Sequence, residues 1–279
     1  MDGCCDHNIV CVVYEMSKVW LFADYSQAEN RIVAWAGPVP LMKEWFIKGE
    51  DIHLNTAKII GRTVQENNIK MPHGLFSKSW EELTKKDPKE RYIGKQTNHA
   101  NNYGLGKITF AARTGLPVKY AQIIQDIYFT NFPEVKTGYQ AWIIEQINKI
   151  RTLINPLGWK RTFYDIFGPE LERAAFAWYP QSTIGLMLIR SLRRLCEIIK
   201  VLPKSTIMTP ANIRSMGLDI QLQVHDSVGV VTEESKLEQT ARIVKDIMEF
   251  PIIVRGEPLI SPVDFKYGPN WGDLRELKV

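Results

Sequence analysis

The stretch that most restricts the fold of this chain is QLQVHDSVGVV, residues 221–231, in which apolar residues alternate on both sides of three polar ones. Alternation with a period of two is typical of a half-buried strand. His225, Asp226 and Ser227 interrupt it, so the stretch predicts two strands joined by a tight turn that projects a carboxylate. A Ser-His-Asp hydrolase triad is disfavoured, because on a strand His225 and Ser227 would share one face while Asp226 points away.

Composition indicates a soluble globular protein. The chain has 279 residues, 45% hydrophobic and 24% charged, and its formal charge is 35 − 31 = +4. This mildly basic balance is compatible with a polyanionic partner without requiring one. No apolar run reaches membrane-spanning length, and the N-terminal MDGCCDHN lacks the layout of a signal peptide. We therefore expect a cytoplasmic protein without membrane contact.

The cysteines favour free thiols. Cys4 and Cys5 are adjacent, so they lack the spacing of two to four residues that lets two thiolates bind one zinc ion. A zinc site made with Cys11 and His7 is thus disfavoured, and with Cys196 included we predict reduced cysteines.

Strand patterns lie at both ends of the chain and helical patterns fill its middle. Strands are predicted within 9–24 and 262–268, and a strand or hairpin within 155–165. Helices are expected over 27–36, 41–60, 89–102, 118–130, 134–152, 181–200 and 234–250, with 61–88 irregular. The order predicts an α+β fold, in which an antiparallel sheet is backed by helices and an all-helical lobe is inserted.

Two more segments carry polar groups at defined places. In LFADYSQAENR (21–31) an apolar strand ends at Asp24, which taken alone is interpreted as a strand-end or cap residue. In ERYIGKQTNHANNYG (90–104) basic residues and then planar rings recur in steps of four, which places them on one helix stripe. The stripe is either a solvated face or a binding surface for a nucleoside triphosphate, with charge for phosphates and a ring for sugar and base.

Together these segments resemble the polymerase motifs of the DNA polymerase I type, family A. DYSQAE (24–29) is similar to the first motif, Asp-Tyr-Ser-Gln-Ile-Glu, and QVHDS (223–227) to the third, Val-His-Asp-Glu. The stripe that ends in Tyr103-Gly104 is similar to the second motif, on the nucleotide-binding fingers helix. Three further segments match in the expected order, namely GEDIHLNTA (49–57), PQST (180–183) and YGPNWG (267–272).

The resemblance implies a right-hand polymerase fold without a thumb: palm over 1–37, fingers over 38–154 and palm again over 155–279. It implies template-directed DNA synthesis, the transfer of a deoxynucleoside monophosphate from a dNTP to a primer 3′-hydroxyl. Asp24 and Asp226 would be the catalytic residues and would bind two Mg²⁺ ions. Without cations, two carboxylates at such a site would repel each other.

The resemblance also implies substrate-binding residues. Glu29 would be the steric gate that excludes a ribose 2′-hydroxyl, braced by Tyr103, and Gln27 would lie near the nucleotide. The groups that would contact the triphosphate and base are Arg91, Lys95, His53 and His99. Glu29 has a simpler alternative as an exposed helix residue.

For primer–template DNA, the resemblance implies Gln181 and, at the primer terminus, His225. Lys160 and Arg161 would contact backbone phosphates, or equally be solvated hairpin residues. Gln181 has the alternative of beginning a helix after Pro180.

Two positions depart from the family pattern. His99 stands where the family has Phe or Tyr, and because phosphates favour the imidazolium form we expect nucleotide affinity to weaken as pH rises. Ser227 replaces an auxiliary acid, which predicts reduced rather than absent activity.

The chain is also short for the family, whose members carry a thumb and usually an exonuclease-type domain before the first motif. A subunit of a split polymerase, a fragment, or a decayed copy would fit, and the intact acids and stripe favour the first two. We expect primer–template DNA, dNTPs and a separate chain with thumb and exonuclease domains as partners, in a bacterial or phage-infected cell. The alternative function is a non-catalytic primer–template or replisome-binding module.

Overall fold

The computed structural model describes residues 17–200 and 219–279. The expected strand over 9–16 and the residues Cys4, Cys5, Cys11 and His7 lie outside them. By backbone contacts the chain divides into two compact units. We call the first the sheet unit (up to Asp24, Leu195–Lys245 and Asp264–Val279) and the second the helical unit (Tyr25–Arg194 and Asp246–Val263). The palm and fingers limits remain a prediction.

The described helices, in chain order, are α1 (Ala28–Ala36), α2 (Pro40–Ile47), α3 (Ile52–Glu66), α4 (Pro88–Asn102), α5 (Lys107–Thr114), α6 (Val118–Asn131), α7 (Ala141–Ile150), α8 (Pro169–Lys200) and α9 (Leu237–Met248). Short helical turns occupy Pro72–Gly74, Trp80–Glu82 and Glu234–Lys236, and a π-helical turn, Val135–Gln140, precedes α7. The strands are β1 (Lys18–Tyr25), β2 (Thr152–Ile154), β3 (Lys160–Thr162), β4 (Asp219–Val224), β5 (Ser227–Glu233), β6 (Ile252–Val254), β7 (Glu257–Leu259), β8 (Val263–Gly268) and β9 (Arg275–Leu277).

The main sheet has five strands in the order β4-β5-β1-β8-β9. β1 and β5 pair antiparallel from Lys18 opposite Glu233 to Asp24 opposite Ser227. Buried and more accessible residues alternate along β1, while most of β5 is buried, as expected for a strand inside a sheet. Thr232 of β5 is hydrogen-bonded to Thr240 of α9, which packs beside it. The predicted α+β fold with an antiparallel sheet is confirmed.

The helical unit is held by two apolar clusters. One joins α3 to α6 and includes Ile60, Ile93 and Phe110, all nearly inaccessible to solvent. The other packs the α1–α2 region against α6 through side chains such as Met42 and Tyr128. Small hairpins, β2–β3 and β6–β7, complete the unit.

Several helix limits differ from the sequence prediction. The range 41–60 holds two helices, because Asp51 caps a new one by accepting hydrogen bonds from the amides of His53 and Leu54. That helix continues to Glu66, into a range predicted to be irregular, and α5 was missed.

The prediction that a helix begins after Pro180 is wrong, because α8 begins at Pro169 and contains Pro180 in its interior. A proline there cannot donate to the carbonyl oxygen four residues earlier, that of Phe176. In the structure this oxygen accepts a hydrogen bond from the hydroxyl of Tyr139, on the π-helical turn. A residue distant in sequence thus satisfies the group that the proline leaves unpaired.

In the part of the chain that the structure describes, no helix combines the length and apolar character needed to cross a membrane. Cys196, the cysteine within that part, is exposed and unpaired.

Replacement of Tyr139 by Phe should destabilise the protein by about 1–3 kcal/mol, because it leaves the Phe176 carbonyl buried without a donor. Urea unfolding of the Tyr139→Phe variant measures the change. Tyr164→Phe is the matched control, since Tyr164 is 89% exposed, and it should change the unfolding free energy by less than about 0.5 kcal/mol. Equal effects of the two substitutions would contradict the role of Tyr139.

Candidate active site

Two carboxyl groups from opposite ends of the chain meet in the sheet unit. Asp24 of β1 pairs with Ser227 of β5, and Asp226 occupies the turn directly before Ser227. The carboxyl groups of Asp24 and Asp226 lie close enough for Asp226 to raise the pKa of Asp24. The strand register therefore brings together the two acids that the sequence singled out.

This pair is electrostatically strained. The pKa of Asp24 is raised from an ordinary 3.8 to about 6, by burial first and then by Asp226 and Asp264, while Lys266 opposes the rise. Asp24 is accessible to solvent by surface area, so water is removed from its carboxyl group only in part. Repulsion from the neighbouring Asp226 is the next cause of the raised pKa of Asp24. A bound cation would relieve that repulsion.

The donor set fits Mg²⁺. Within residues 17–200 and 219–279 no group of three or more His, Cys, Asp or Glu side chains is arranged to hold a metal ion. A pair of carboxylates suffices for Mg²⁺, which completes its shell of oxygen ligands with water and substrate phosphates.

Sequence reasoning missed Asp264. It lies on β8, next to β1 in the sheet, and both Asp264 and Lys266 are exposed, while Val263 and Phe265, which alternate with them, are buried. The alternation in PVDFKYG was the available signal, since it places Asp264 and Lys266 on one face. Asp264 adds negative charge near Asp24, and Lys266 offsets part of it.

The turn before β5 does not support a hydrolase. The hydroxyl of Ser227 donates to the carbonyl oxygen of Val224 at 2.7 Å, and Ser227 is only 6% exposed. His225 adopts a left-handed backbone conformation, φ 51°, as a turn of this tightness requires. Ser227 thus closes the turn, and its hydroxyl is not presented as a nucleophile.

In the helical unit, Glu29 of α1 lies between two rings carried by the end of α4. The hydroxyl of Tyr103 donates a hydrogen bond to Glu29, and Nδ1 of His99 lies 3.5 Å from its carboxylate. Burial would raise the pKa of Glu29, but the hydrogen bonds from His99 and Tyr103 outweigh it and hold the pKa below its usual value. Glu29 is therefore an oriented, ionised group rather than a solvated helix residue.

Tyr103 connects this cluster to α8. Burial and the charge of Glu29 keep its pKa well above the ordinary value, while a hydrogen bond with Gln181 opposes the rise. The residue Gln181 is exposed in the middle of α8.

Arg91 is positioned by an acid that sequence reasoning missed. Its Nε and Nη2 atoms lie 2.9 and 2.8 Å from Oδ2 of Asp51, whose Oδ1 caps α3. Burial opposes ionisation of Asp51, but hydrogen bonds from the Leu54 amide and Arg91 keep its pKa low. The N-cap position before an apolar helix was the signal for Asp51, although nothing local indicated Arg91 as its partner.

His53, beside them, is buried and neutral at physiological pH. Burial, followed by repulsion from His99, lowers the pKa of His53 from 6.5 to about 3. The Nδ1 atom lies 3.3 Å from Nδ2 of Asn98. With Asn98 donating, this network assigns the proton of His53 to Nε2, so His53 offers a neutral N–H donor.

The helices α3 and α4 approach so closely that only glycine fits at position 94. A Cβ atom there would lie 2.1 Å from the carbonyl oxygen of His53. The close approach of the two helices at Gly94 brings His53 of α3 near Arg91 of α4.

The remaining predicted residues are placed separately. Gln27 accepts a hydrogen bond from the amide of Ile52 at 3.0 Å and so ties the start of α1 to the start of α3. Lys95 is exposed on α4. Lys160 and Arg161 are exposed on the β2–β3 hairpin, where the Arg161 guanidinium lies 4.7 Å from the ring centre of Phe163. Both interpretations of these two residues stay open.

Mg²⁺ should stabilise the protein at neutral pH, because it relieves the repulsion between Asp24 and Asp226. Thermal unfolding with EDTA and with MgCl₂ measures the shift in Tm. Asp226→Asn should lose most of the Mg²⁺ response, and in EDTA it should be at least as stable as the original protein. Asp246→Asn, at an exposed acid of α9, should keep the full response, and an equal loss in both variants would contradict the site.

His53 should contribute a loss of stability on acidification, whereas Asp24, whose pKa is raised in the folded protein, contributes in the opposite direction. The pKa of His53 is lower in the folded protein than in the unfolded chain. Below about pH 6.5 His53 is therefore protonated in the unfolded chain but stays neutral in the folded protein. The loss at about pH 5 should be roughly 2 kcal/mol relative to neutral pH. His53→Gln should remove this part of the pH dependence in urea titrations, whereas His73→Gln, at an exposed histidine, should leave it. Identical pH profiles for the two variants would contradict the assignment.

Comparison with known proteins agrees with this arrangement. The family model "DNA polymerase family A" matches residues 10–273. The chain is 27% identical over 266 residues to the thermostable DNA polymerase I of Thermus filiformis, covering 92% of this chain and 27% of that protein. It is 28% identical over 260 residues to DNA polymerase I of Geobacillus stearothermophilus, covering 92% and 26%. The chain thus spans about a quarter of the length of these relatives.

A solved structure has the same fold. It is the POL domain of Pol1 from M. smegmatis in complex with DNA primer–template and dNTP, with a TM-score of 0.70 and 24% identity over 93% of this chain and 41% of that one. Because a family model covers most of its length, this chain belongs to DNA polymerase family A.

Proposed function

We propose that this chain carries the catalytic centre of a DNA-directed DNA polymerase. The reaction is transfer of a deoxynucleoside monophosphate from a dNTP to a primer 3′-hydroxyl, as the template directs. The observation that carries the proposal is the pairing of Asp24 with Ser227, which brings Asp24 close enough to Asp226 for that acid to raise its pKa. Phosphoryl transfer needs alignment and charge neutralisation rather than a protein nucleophile, and a strained pair of carboxylates suits that requirement.

Asp24 and Asp226 would hold two Mg²⁺ ions. When bound, the ions activate the attacking hydroxyl and stabilise the charge on the leaving pyrophosphate. The two acids would hold the ions at the end of the β1–β5 pair, and Asp264 would add to the negative potential there. Ser227, locked in the turn, leaves the ions without the auxiliary acid of the family pattern, so we expect a reduced rate.

For the nucleotide, we propose that Arg91 and Lys95 bind the triphosphate by charge. Asp51 orients the Arg91 guanidinium, and neutral His53 adds a hydrogen bond from Nε2 rather than a charge. Glu29, held by Tyr103, is proposed as the group that excludes a ribose 2′-hydroxyl. His99 contributes a ring beside the base, and its pH effect on affinity stays a prediction.

For primer–template DNA, Gln181, Lys160 and Arg161 are proposed contacts, with His225 at the primer terminus. We propose palm limits of 1–37 and 155–279 and fingers limits of 38–154. A separate chain with thumb and exonuclease domains is the proposed partner, in the cytoplasm of a bacterial or phage-infected cell. Phosphate contacts set much of nucleic-acid affinity, so without that partner the binding should be weak and strongly dependent on salt.

Primer extension with Mg²⁺ and dNTPs tests the proposal. Incorporation should require Mg²⁺, and Asp226→Ala should lower the rate by roughly 100-fold or more, because even the outer partners of metal ligands contribute 10- to 100-fold. Asp246→Ala, at the exposed acid of α9, is the matched control and should extend primers normally.

Binding of primer–template without incorporation would overturn the enzymatic proposal if it persists when a candidate thumb chain is added. That outcome would instead support a non-catalytic replisome module. Equal activity of Asp226→Ala and Asp246→Ala would remove Asp226 from the catalytic centre.

A further inference from the structure

The helical unit has a second concave site, on the side of α3 that does not pack into the core. The buried residues of α3 include His53, Ala57 and Val64. On another side Asn55, Lys58 and Arg62, spaced at three and four residues, line a cavity of about 180 Å³. The side of α3 that lines this cavity is therefore different from the buried side that carries His53 of the proposed triphosphate site.

Two indole rings bound this cavity. Trp45 comes from α2 and packs edge-on against Phe132, with ring centres 5.6 Å apart. Trp80 comes from the Trp80–Glu82 turn and sits close to α3 because position 61 is glycine, where a Cβ would lie 3.1 Å from that of Trp80. Both rings are thus held from the protein side while part of each remains accessible.

The cations of the cavity are available to a ligand. Among the described residues Lys58 has neither a hydrogen-bond nor an ion-pair partner. The guanidinium of Arg62 lies 5.9 Å from the ring centre of Trp80. Its ion pair with Glu66 is weak, because the atoms are 3.9 Å apart and both side chains are exposed. At the rim of the cavity, the carboxylate of Glu50 accepts a hydrogen bond from the side-chain amide of Asn55.

We propose that this cavity binds one nucleotide of single-stranded nucleic acid. The base would stack on an indole of Trp45 or Trp80, and the phosphate would contact Lys58 and Arg62. Aromatic platforms beside cations are the usual means of binding a single strand without reading its sequence. The cavity has room for a base ring, since an apolar cavity of about 150 Å³ admits benzene, and the sugar and phosphate would lie at its open side.

A duplex offers no free base faces, so the site should distinguish single strands from paired ones. Binding here uses no primer terminus, dNTP or metal ion, and it therefore goes beyond the proposed polymerase reaction. The chain would thus bind single-stranded DNA at a site that does not involve Asp24 or Asp226.

Fluorescence anisotropy of a labelled oligo(dT) in EDTA, without primer or dNTP, tests the inference. Trp80→Ala should weaken binding by about 5- to 150-fold, the loss expected for one stacked base. Trp80→Phe keeps a stacking ring and should recover most of the affinity. Lys58→Gln should reduce the dependence of log K on log salt by about 0.7, one phosphate contact on a single strand.

Asp246→Ala, at the exposed acid of α9, is the matched control and should bind oligo(dT) as tightly as the original protein. Unchanged binding by both Trp80→Ala and Lys58→Gln would overturn the inference. So would an equal loss of affinity for a duplex of the same length in Trp80→Ala. Primer extension is measured separately, so failure of the proposed polymerase activity would leave this result interpretable.

Discussion

The antiparallel pairing of β1 with β5 is the constraint on which the candidate catalytic centre depends. It sets Asp24 opposite Ser227 and so places Asp24 beside Asp226 in the turn. Side chains alternate along a strand, so a shift of one residue in this register would turn Asp24 towards the core. The buried residues Leu21 and Val230, which face each other in the same pairing, make such a shift costly.

The pKa values of acidic groups shift in opposite directions in the two units. In the helical unit Glu29 and Asp51 each accept hydrogen bonds from protein donors, which keeps both ionised although they are largely removed from water. In the sheet unit Asp24 faces Asp226 instead, and its pKa rises. A cation would relieve the repulsion within such a pair, so the contrast fits the proposal that the first two acids orient substrate and the second two bind metal.

Local patterns predicted much of the architecture and fewer of its contacts. The hairpin around Asp226, the helix that carries Arg91 and Tyr103, and the α+β order follow from periodicity and turn residues. The interruption expected at Pro180 did not occur, because the Tyr139 hydroxyl supplies the donor that the proline lacks. A hydrogen bond between segments so far apart has no signature in either local sequence.

By itself, the sequence determined the α+β order and the elements that hold the motif residues, since strand and helix periods and the polymerase motifs are local properties. Only the tertiary structure decided which charges meet. Arg91 forms an ion pair with Asp51, and Glu29 accepts a hydrogen bond from Tyr103. Asp24, in contrast, lies near a second acid, Asp226. The physical reason is that pairing energies and pKa values depend on distance and on loss of water, and both arise only when separate segments pack together.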